Sequence, residues 1–343
     1  MGGPRIKKGK LINESCPATK PTVLVAISVS QIGFVCGSSI FIAENLQQVV
    51  QDISHNLLTL STPQILFFTG IFLSPLILIR NIARLSFVAV ISSVLFLTGL
   101  VALIYFDVKS LFYSSPSEGI NFTPGPNITY YFNPVSYSVF IGTAVYSFEG
   151  IGLIIPIYDA MAKPQYFPHV LTAVMAVVAL VFSLVGGLGY FAFGSKVQTV
   201  ALLNLPNGPV VHTIRMAYTI AAALSNALTI FPAVRIIENA VFKQKTGKLN
   251  LAIKWQKNLL RVGIVVLTMF IAMFGANDLD KFISLIGSIC CTPLSLIFPS
   301  LFHYRAIATT KRQKMIDISL ACFGTFIMLF TVWTTASQWG TPT

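Results

Sequence analysis

Long apolar runs separated by short polar ones organise this chain, and the runs are far longer than strands and lack the one-sided polar stripe of a surface helix. About 20 residues at 1.5 Å each cross a hydrocarbon core of roughly 30 Å. The pattern predicts nine spans, at 22–44, 63–80, 85–106, 135–157, 168–193, 209–234, 259–276, 279–302 and 315–336. In lipid every backbone amide needs an internal partner, so runs of this length read as helices. One membrane domain, 22–336, is expected. It is preceded by a basic segment (1–21), carries an external loop (107–134) and a basic loop (235–258), and is followed by a short tail (337–343).

Composition sharpens the class. Of 343 residues, 55% are hydrophobic and 10% charged, with a mean hydropathy of +0.77. A soluble domain carries roughly 25% charged residues, so a soluble globule is excluded. The net charge of +12 would suit nucleic acid if it were clustered. Instead the basic residues report topology. With a cytosolic amino terminus, 19 of the 23 Lys and Arg fall on the inner side, leaving Lys109, Lys196, Arg215 and Lys281 outside. The tail is then external, and no nucleic-acid partner is expected. The first 20 residues are polar and basic, so the first span serves as its own targeting signal. Two sequons, Asn121-Phe-Thr and Asn127-Ile-Thr, lie in the external loop and are expected glycosylation acceptors. Four cysteines, Cys36, Cys290, Cys291 and Cys322, fall in apolar segments and read as buried thiols, with only Cys16 in a polar stretch.

Span four holds the sharpest chemistry. Glu149 sits between Gly150 and Gly152, with Gly142 before and Pro156 after. Glycine and proline weaken a helix here, so 147–152 reads as an unwound break whose freed amides and carbonyls could hold a small zwitterion. A carboxylate at this depth costs about 3 kcal/mol on insertion scales. Protonation relieves that cost, and Glu149 is the expected proton carrier; the bland alternative is a protonated, interhelical hydrogen-bonded acid. Thr143, Ser147, Phe148, Glu149, Gly150 and Gly152 are the expected substrate contacts on this span. Gln31 on span one and Asn226 on span six, whose amides are too polar for lipid, are expected to join them, together with Ser288 on span eight. The remaining Ser and Thr of spans one, six and eight read as close-packing residues. Glu44 is expected at the external end of span one, and Arg215 is expected to snorkel to the external interface. No histidine has a metal-ligand spacing and no glycine-rich phosphate loop is present, so neither a cofactor nor an enzyme is expected.

Three stretches together, SQIGFVCGSSIFIAENLQQVV in span one, GTAVYSFEGIGLIIPIYDAM in span four and LTIFPAVRIIENAVF closing span six, resemble the amino acid/auxin permease family. Within it the chain is most similar to fungal vacuolar and proton-assisted amino acid transporters. The resemblance implies an all-α, LeuT-like bundle of inverted repeats that moves neutral amino acids together with protons, here out of a vacuole or lysosome into the cytosol rather than across the plasma membrane. It also implies two further spans before Pro21, the first with a GTGxxxLP pattern that this sequence lacks. The nine spans would then correspond to the family's third to eleventh, an incomplete chain carrying only one of the two broken helices that hold substrate. A shortened paralogue with a scaffold or regulatory role is the alternative reading, and a channel-like protein a more distant one. Oligomeric state and substrate preference are not legible.

Overall fold

The computed structural model describes residues 19–55, 57–79, 82–112, 122–131, 133, 136–150, 154, 158, 161–242 and 250–340. The expected site residues Gly152 and Asn121, with Pro156, Cys16 and most of the basic first segment, lie outside the described residues. Among the described residues the structure is all-helical, with no strand. We label the helices α1 (Thr19–Ile53), α2 (Thr62–Ile77), α3 (Ile82–Phe112), α4 (Tyr137–Ser147), α5 (Phe167–Phe193), α6 (Pro209–Phe242), α7 (Leu251–Gly275), α8 (Leu279–Ala306) and α9 (Lys311–Ser337). Seven of them, α1, α3 and α5 to α9, contain stretches long and apolar enough to cross a membrane, while α2 and α4 are shorter.

Local chemistry sets several starts. Ser61 and Gln64 form a reciprocal capping box at α2, with Pro63 in its first turn, and Thr310 and Gln313 do the same for α9. At α7 the Asn250 side chain accepts the Ala252 amide at 2.9 Å.

α1 is the axial element. It packs on α6, α7, α8 and α2, and its Val35, Cys36, Ile40 and Ala43 enter one core with Leu66 and Leu73 of α2, Ile230 and Val234 of α6, and Val265 and Ala272 of α7. A side chain in that core leaves lipid as well as water, so close packing, rather than removal from water, holds it. Cys36 adds a long-range tie by donating its thiol to the Thr268 carbonyl at 3.2 Å. α5 is the opposite extreme: none of its residues is buried, it rests mainly on α3, and Val174, Val177 and Leu180 face outward into what the sequence makes lipid.

Several helices outrun their apolar spans. α1 continues to Ile53, α6 to Phe242, and α7 begins at Leu251, so most of the expected 235–258 loop is helical. Ion pairs between distant segments hold these extensions. Arg261 of α7 grips Glu238 of α6 with two hydrogen bonds of 3.0 Å and donates to the Ile77 carbonyl at the end of α2 at 2.8 Å. Both side chains are buried, and the bidentate geometry satisfies each charge.

The structure corrects three expectations. Arg215 does not snorkel: it is fully buried, bonded to Asp52 of α1 at 3.2 Å and to the Leu202 and Leu205 carbonyls at 3.2 and 3.0 Å. A partner 163 positions away makes burial tolerable. Glu44 is not at a helix end, because α1 runs nine residues beyond it. Cys322 is exposed on α9, unlike the buried Cys36, Cys290 and Cys291.

The described part of the loop, 122–131, is anchored to the C-terminal end of α5. The Gly125 amide donates to the Phe191 carbonyl at 2.8 Å, the Ser195 amide to the Pro126 carbonyl at 2.9 Å, and the Thr129 amide to the Tyr190 hydroxyl at 2.9 Å. Gly194 takes φ 58° there, and a Cβ would run into the Pro126 carbonyl, so the approach requires glycine. Asn127, between these anchors, is exposed and takes φ 52°.

Candidate functional site

α4 contains 11 residues, about 16 Å of helix, roughly half a hydrocarbon core. Its end is written locally. Thr143 returns its hydroxyl to the Val139 carbonyl at 2.9 Å, and Ser147 returns its own to Thr143 at 2.8 Å, competing with the backbone ladder where a glycine follows. Phe148 leaves the helical region at φ −96°, ψ 5°, and Glu149 and Gly150 are not helical. α4 therefore ends at the start of the expected 147–152 break, of which 151 and 152 lie outside the described residues.

The α4 segment leading to the break packs against α8. Gly142 lies so close that a Cβ there would collide with the Ser284 hydroxyl and carbonyl and come within 2.8 Å of the Ser288 hydroxyl. From the other side, a Cβ on Gly287 would collide with the Gly142 carbonyl and come within 3.0 Å of the Tyr146 Cβ. Two backbones therefore meet through paired glycines, the closest approach that membrane helices make. α8 is itself irregular here: it widens into π turns over Gly287–Cys291 and Pro293–Ile297. The Thr292 hydroxyl reaches back five residues to the Gly287 carbonyl at 3.2 Å, as a π turn allows. Ser284 shares a 3.1 Å hydrogen bond with Thr335, which ties α9 to the same point.

A third wall comes from α1. Tyr146 is packed edge-on to Phe34, with ring centroids 4.7 Å apart, and its hydroxyl lies 3.2 Å from where a Gly37 Cβ would be. Glu149 is half-buried and within electrostatic reach of the Cys290 and Cys291 thiols on α8.

The structure brings Thr143, Ser147, Phe148, Glu149, Gly150 and Ser288 into one region. Ser288 spends its proton on the Ser284 carbonyl at 2.7 Å, leaving its oxygen as an acceptor. Phe148 is 38% exposed and packs on Phe182 of α5, at 5.9 Å between centroids. Gln31 lies on α1 one turn before Phe34, half-buried. Asn226 stands apart on α6, which packs chiefly along α1 and α3. It is buried, and its amide nitrogen finds no acceptor among the described residues. Sequence reasoning missed Gly287, Phe34 and Tyr146. The pairing of glycines on two segments far apart in the chain left no local signal, although Gly287-Ser288 beside a run of hydroxyls marked α8 as a close-packed helix.

Comparison with known proteins bears on this arrangement. The chain is 42% identical over 334 residues to vacuolar amino acid transporter 3 of Saccharomyces cerevisiae, covering 94% of this chain and 46% of that protein. It is 40% identical over 319 residues to vacuolar amino acid transporter 3 of Schizosaccharomyces pombe, covering 93% and 47%. To vacuolar amino acid transporter 4 of Saccharomyces cerevisiae it is 39% identical over 343 residues, covering 92% and 47%. The chain therefore spans about half the length of the yeast relatives it matches. The family model described as transmembrane amino acid transporter protein matches residues 16–337, and across that near-complete length the chain belongs to this family.

Proposed function

We propose that the chain is a secondary carrier that moves neutral amino acids out of a vacuole into the cytosol, coupled to protons. The observation that carries this reading is the end of α4 at Ser147, with Phe148, Glu149 and Gly150 unwound beside the π turns of α8. The Phe148 and Glu149 amides still donate to the Ala144 and Tyr146 carbonyls at 3.1 and 3.4 Å. In this reading carbonyls beyond Ser147 meet the ammonium of an amino acid, and amides later in the 147–152 break meet its carboxylate. The vacuolar names of the yeast relatives support the compartment and the cargo class. The seven long apolar helices support the membrane setting.

Glu149 is the proton carrier in this reading. Protonation removes a charge from membrane depth, so a lumen more acidic than the cytosol favours loading on one side and release on the other. Thr143, Ser147, Phe148, Gly150 and Ser288 line the cargo, with Gln31 and Asn226 offering amides and Gly152 completing the break. Asn127 and Asn121 carry glycans on the lumenal loop. The test uses the full polypeptide in sealed vesicles with an imposed pH gradient and labelled neutral amino acids. Glu149→Gln is expected to abolish gradient-driven movement while leaving gradient-independent exchange. Undiminished gradient-driven movement by Glu149→Gln overturns the proton role.

A further inference from the structure

α3 carries a buried acid that takes no part in the site around Glu149. Leu103, Asp107 and Leu111 follow one another at four-residue spacing and are 5%, 2% and 3% exposed, so they form one inward stripe. Leucine fits such a stripe, whereas an aspartate in its middle is costly. Asp52 and Glu238 each answer to an arginine. Among the described residues no hydrogen bond or ion pair reaches the Asp107 carboxyl. Its Oδ2 faces α5, where the Cβ of a residue replacing Gly189 would sit 3.7 Å away.

The charged and titratable groups around it are turned elsewhere. On α3, Tyr105 and Lys109 are exposed. On α5, the Tyr190 hydroxyl accepts the Thr129 amide, and Lys196 just beyond the helix is exposed. On α6, His212 and Arg215 face Asp52 at 3.9 and 3.2 Å. Tyr130 and Tyr131 of the loop are exposed. Burying a bare carboxylate is costly and burying the neutral acid far less so, so the ligand that suits this position is a proton.

The seam it sits in is the thin attachment of α5, which has no buried residue and rests mainly on α3. Loop 122–131 bridges the two helix ends next to it: the Thr123 amide donates to the Leu111 carbonyl at 3.0 Å and the Gly125 amide to the Phe191 carbonyl at 2.8 Å. Two turns before Gly189, Phe182 packs on Phe148 at the end of α4.

We propose that Asp107 is a proton-binding site, and that its proton holds the end of α5 and loop 122–131 against α3. Losing the proton puts a charge into the seam, which water relieves when α5 moves away, and Phe182 moves with it. By the positive-inside orientation the seam lies on the external side. The site is distinct from Glu149 and stands whether or not the chain carries amino acids.

The full polypeptide in lipid nanodiscs, without cargo, is titrated from about pH 4 to 8 under infrared difference spectroscopy, where a protonated carboxyl shows its own carbonyl band. The native spectrum minus that of Asp107→Asn is expected to isolate one band, present in acid and lost as the pH rises, and Glu149→Gln is expected to keep it. Spin labels on Lys109→Cys and Lys196→Cys, with Cys16→Ser and Cys322→Ser, are expected to give one narrow distance in acid that broadens as the band is lost. Asp107→Asn is expected to stay narrow at every pH. Gly189→Ala, whose methyl group keeps water from the charged form, is expected to hold the band to higher pH. If Asp107→Asn does not fold, the native spectrum minus that of Gly189→Ala reads the same band, and no difference between them overturns the proposal. The absence of a carboxyl band at every pH also overturns it, as does pH-dependent broadening that persists in Asp107→Asn. Loss of the band at constant acid pH on adding sodium or calcium overturns it in favour of a metal-cation site.

Discussion

Gly142→Ala adds one methyl group where α4 meets α8. The new Cβ meets two atoms of Ser284 and the Ser288 hydroxyl. The Ser288 hydroxyl can rotate away, but the Ser284 carbonyl is backbone and cannot, so relief requires the two helices to separate. Overpacking of this kind costs about 1–3 kcal/mol. Alanine also recovers about 0.5–1 kcal/mol of helix propensity over glycine, leaving a net loss on the order of 1–2 kcal/mol. Gly186→Ala on α5 supplies the internal control, since a Cβ there meets nothing within 4 Å and only the propensity gain remains. Thermal unfolding in detergent micelles can be followed with a thiol-reactive dye, because Cys36, Cys290 and Cys291 are buried until the bundle opens. Gly142→Ala is expected to melt several degrees below the native chain, and Gly186→Ala at or slightly above it. Equal melting of the two variants would refute the argument that glycine is needed for backbone contact at this point.

Removing one partner of the Glu238–Arg261 pair leaves a buried charge alone, so Arg261→Met should lose about 3–5 kcal/mol, and Arg261→Met with Glu238→Leu should recover much of it in the same melt. Arg215→Met leaves the Leu202 and Leu205 carbonyls without their donor and Asp52 with only Asn207 at 3.1 Å and His212 at 3.9 Å. It should destabilise by a similar amount and speed proteolysis within 197–208, whereas a snorkelling arginine would give a change under about 1 kcal/mol. Among the described cysteines, a maleimide added to the folded chain should modify Cys322 first, as mass spectrometry of the peptides would show; modification of Cys36 at the same rate contradicts the packing of α1 on α7.

Much of this architecture was legible because lipid imposes length: α5, α8 and α9 coincide closely with apolar runs in the sequence. The extensions of α1, α6 and α7 were not, since hydropathy fades at the bilayer edge while ion pairs such as Asp52–Arg215 and Glu238–Arg261 carry the helix onward. Those pairs join residues too distant in sequence for any periodicity to link them. The end of α4 at Ser147 was readable from its own glycine and hydroxyl residues. Its setting was not, because Gly142, Gly287 and Tyr146 acquire meaning only when α4, α8 and α1 are brought together.

The two wide turns of α8 have a consequence for everything after them. Each accommodates a residue more than an α-turn does, and one residue is about 100° of rotation about the axis. The 2.8 Å contact of His303 with Asp317 on α9 is therefore phased by the slack held upstream. Deleting a single residue from 287–297 would turn the carboxy-terminal third of α8 like a screw and swing His303 off its partner, while the amino-terminal third, held by Gly142, would keep its place.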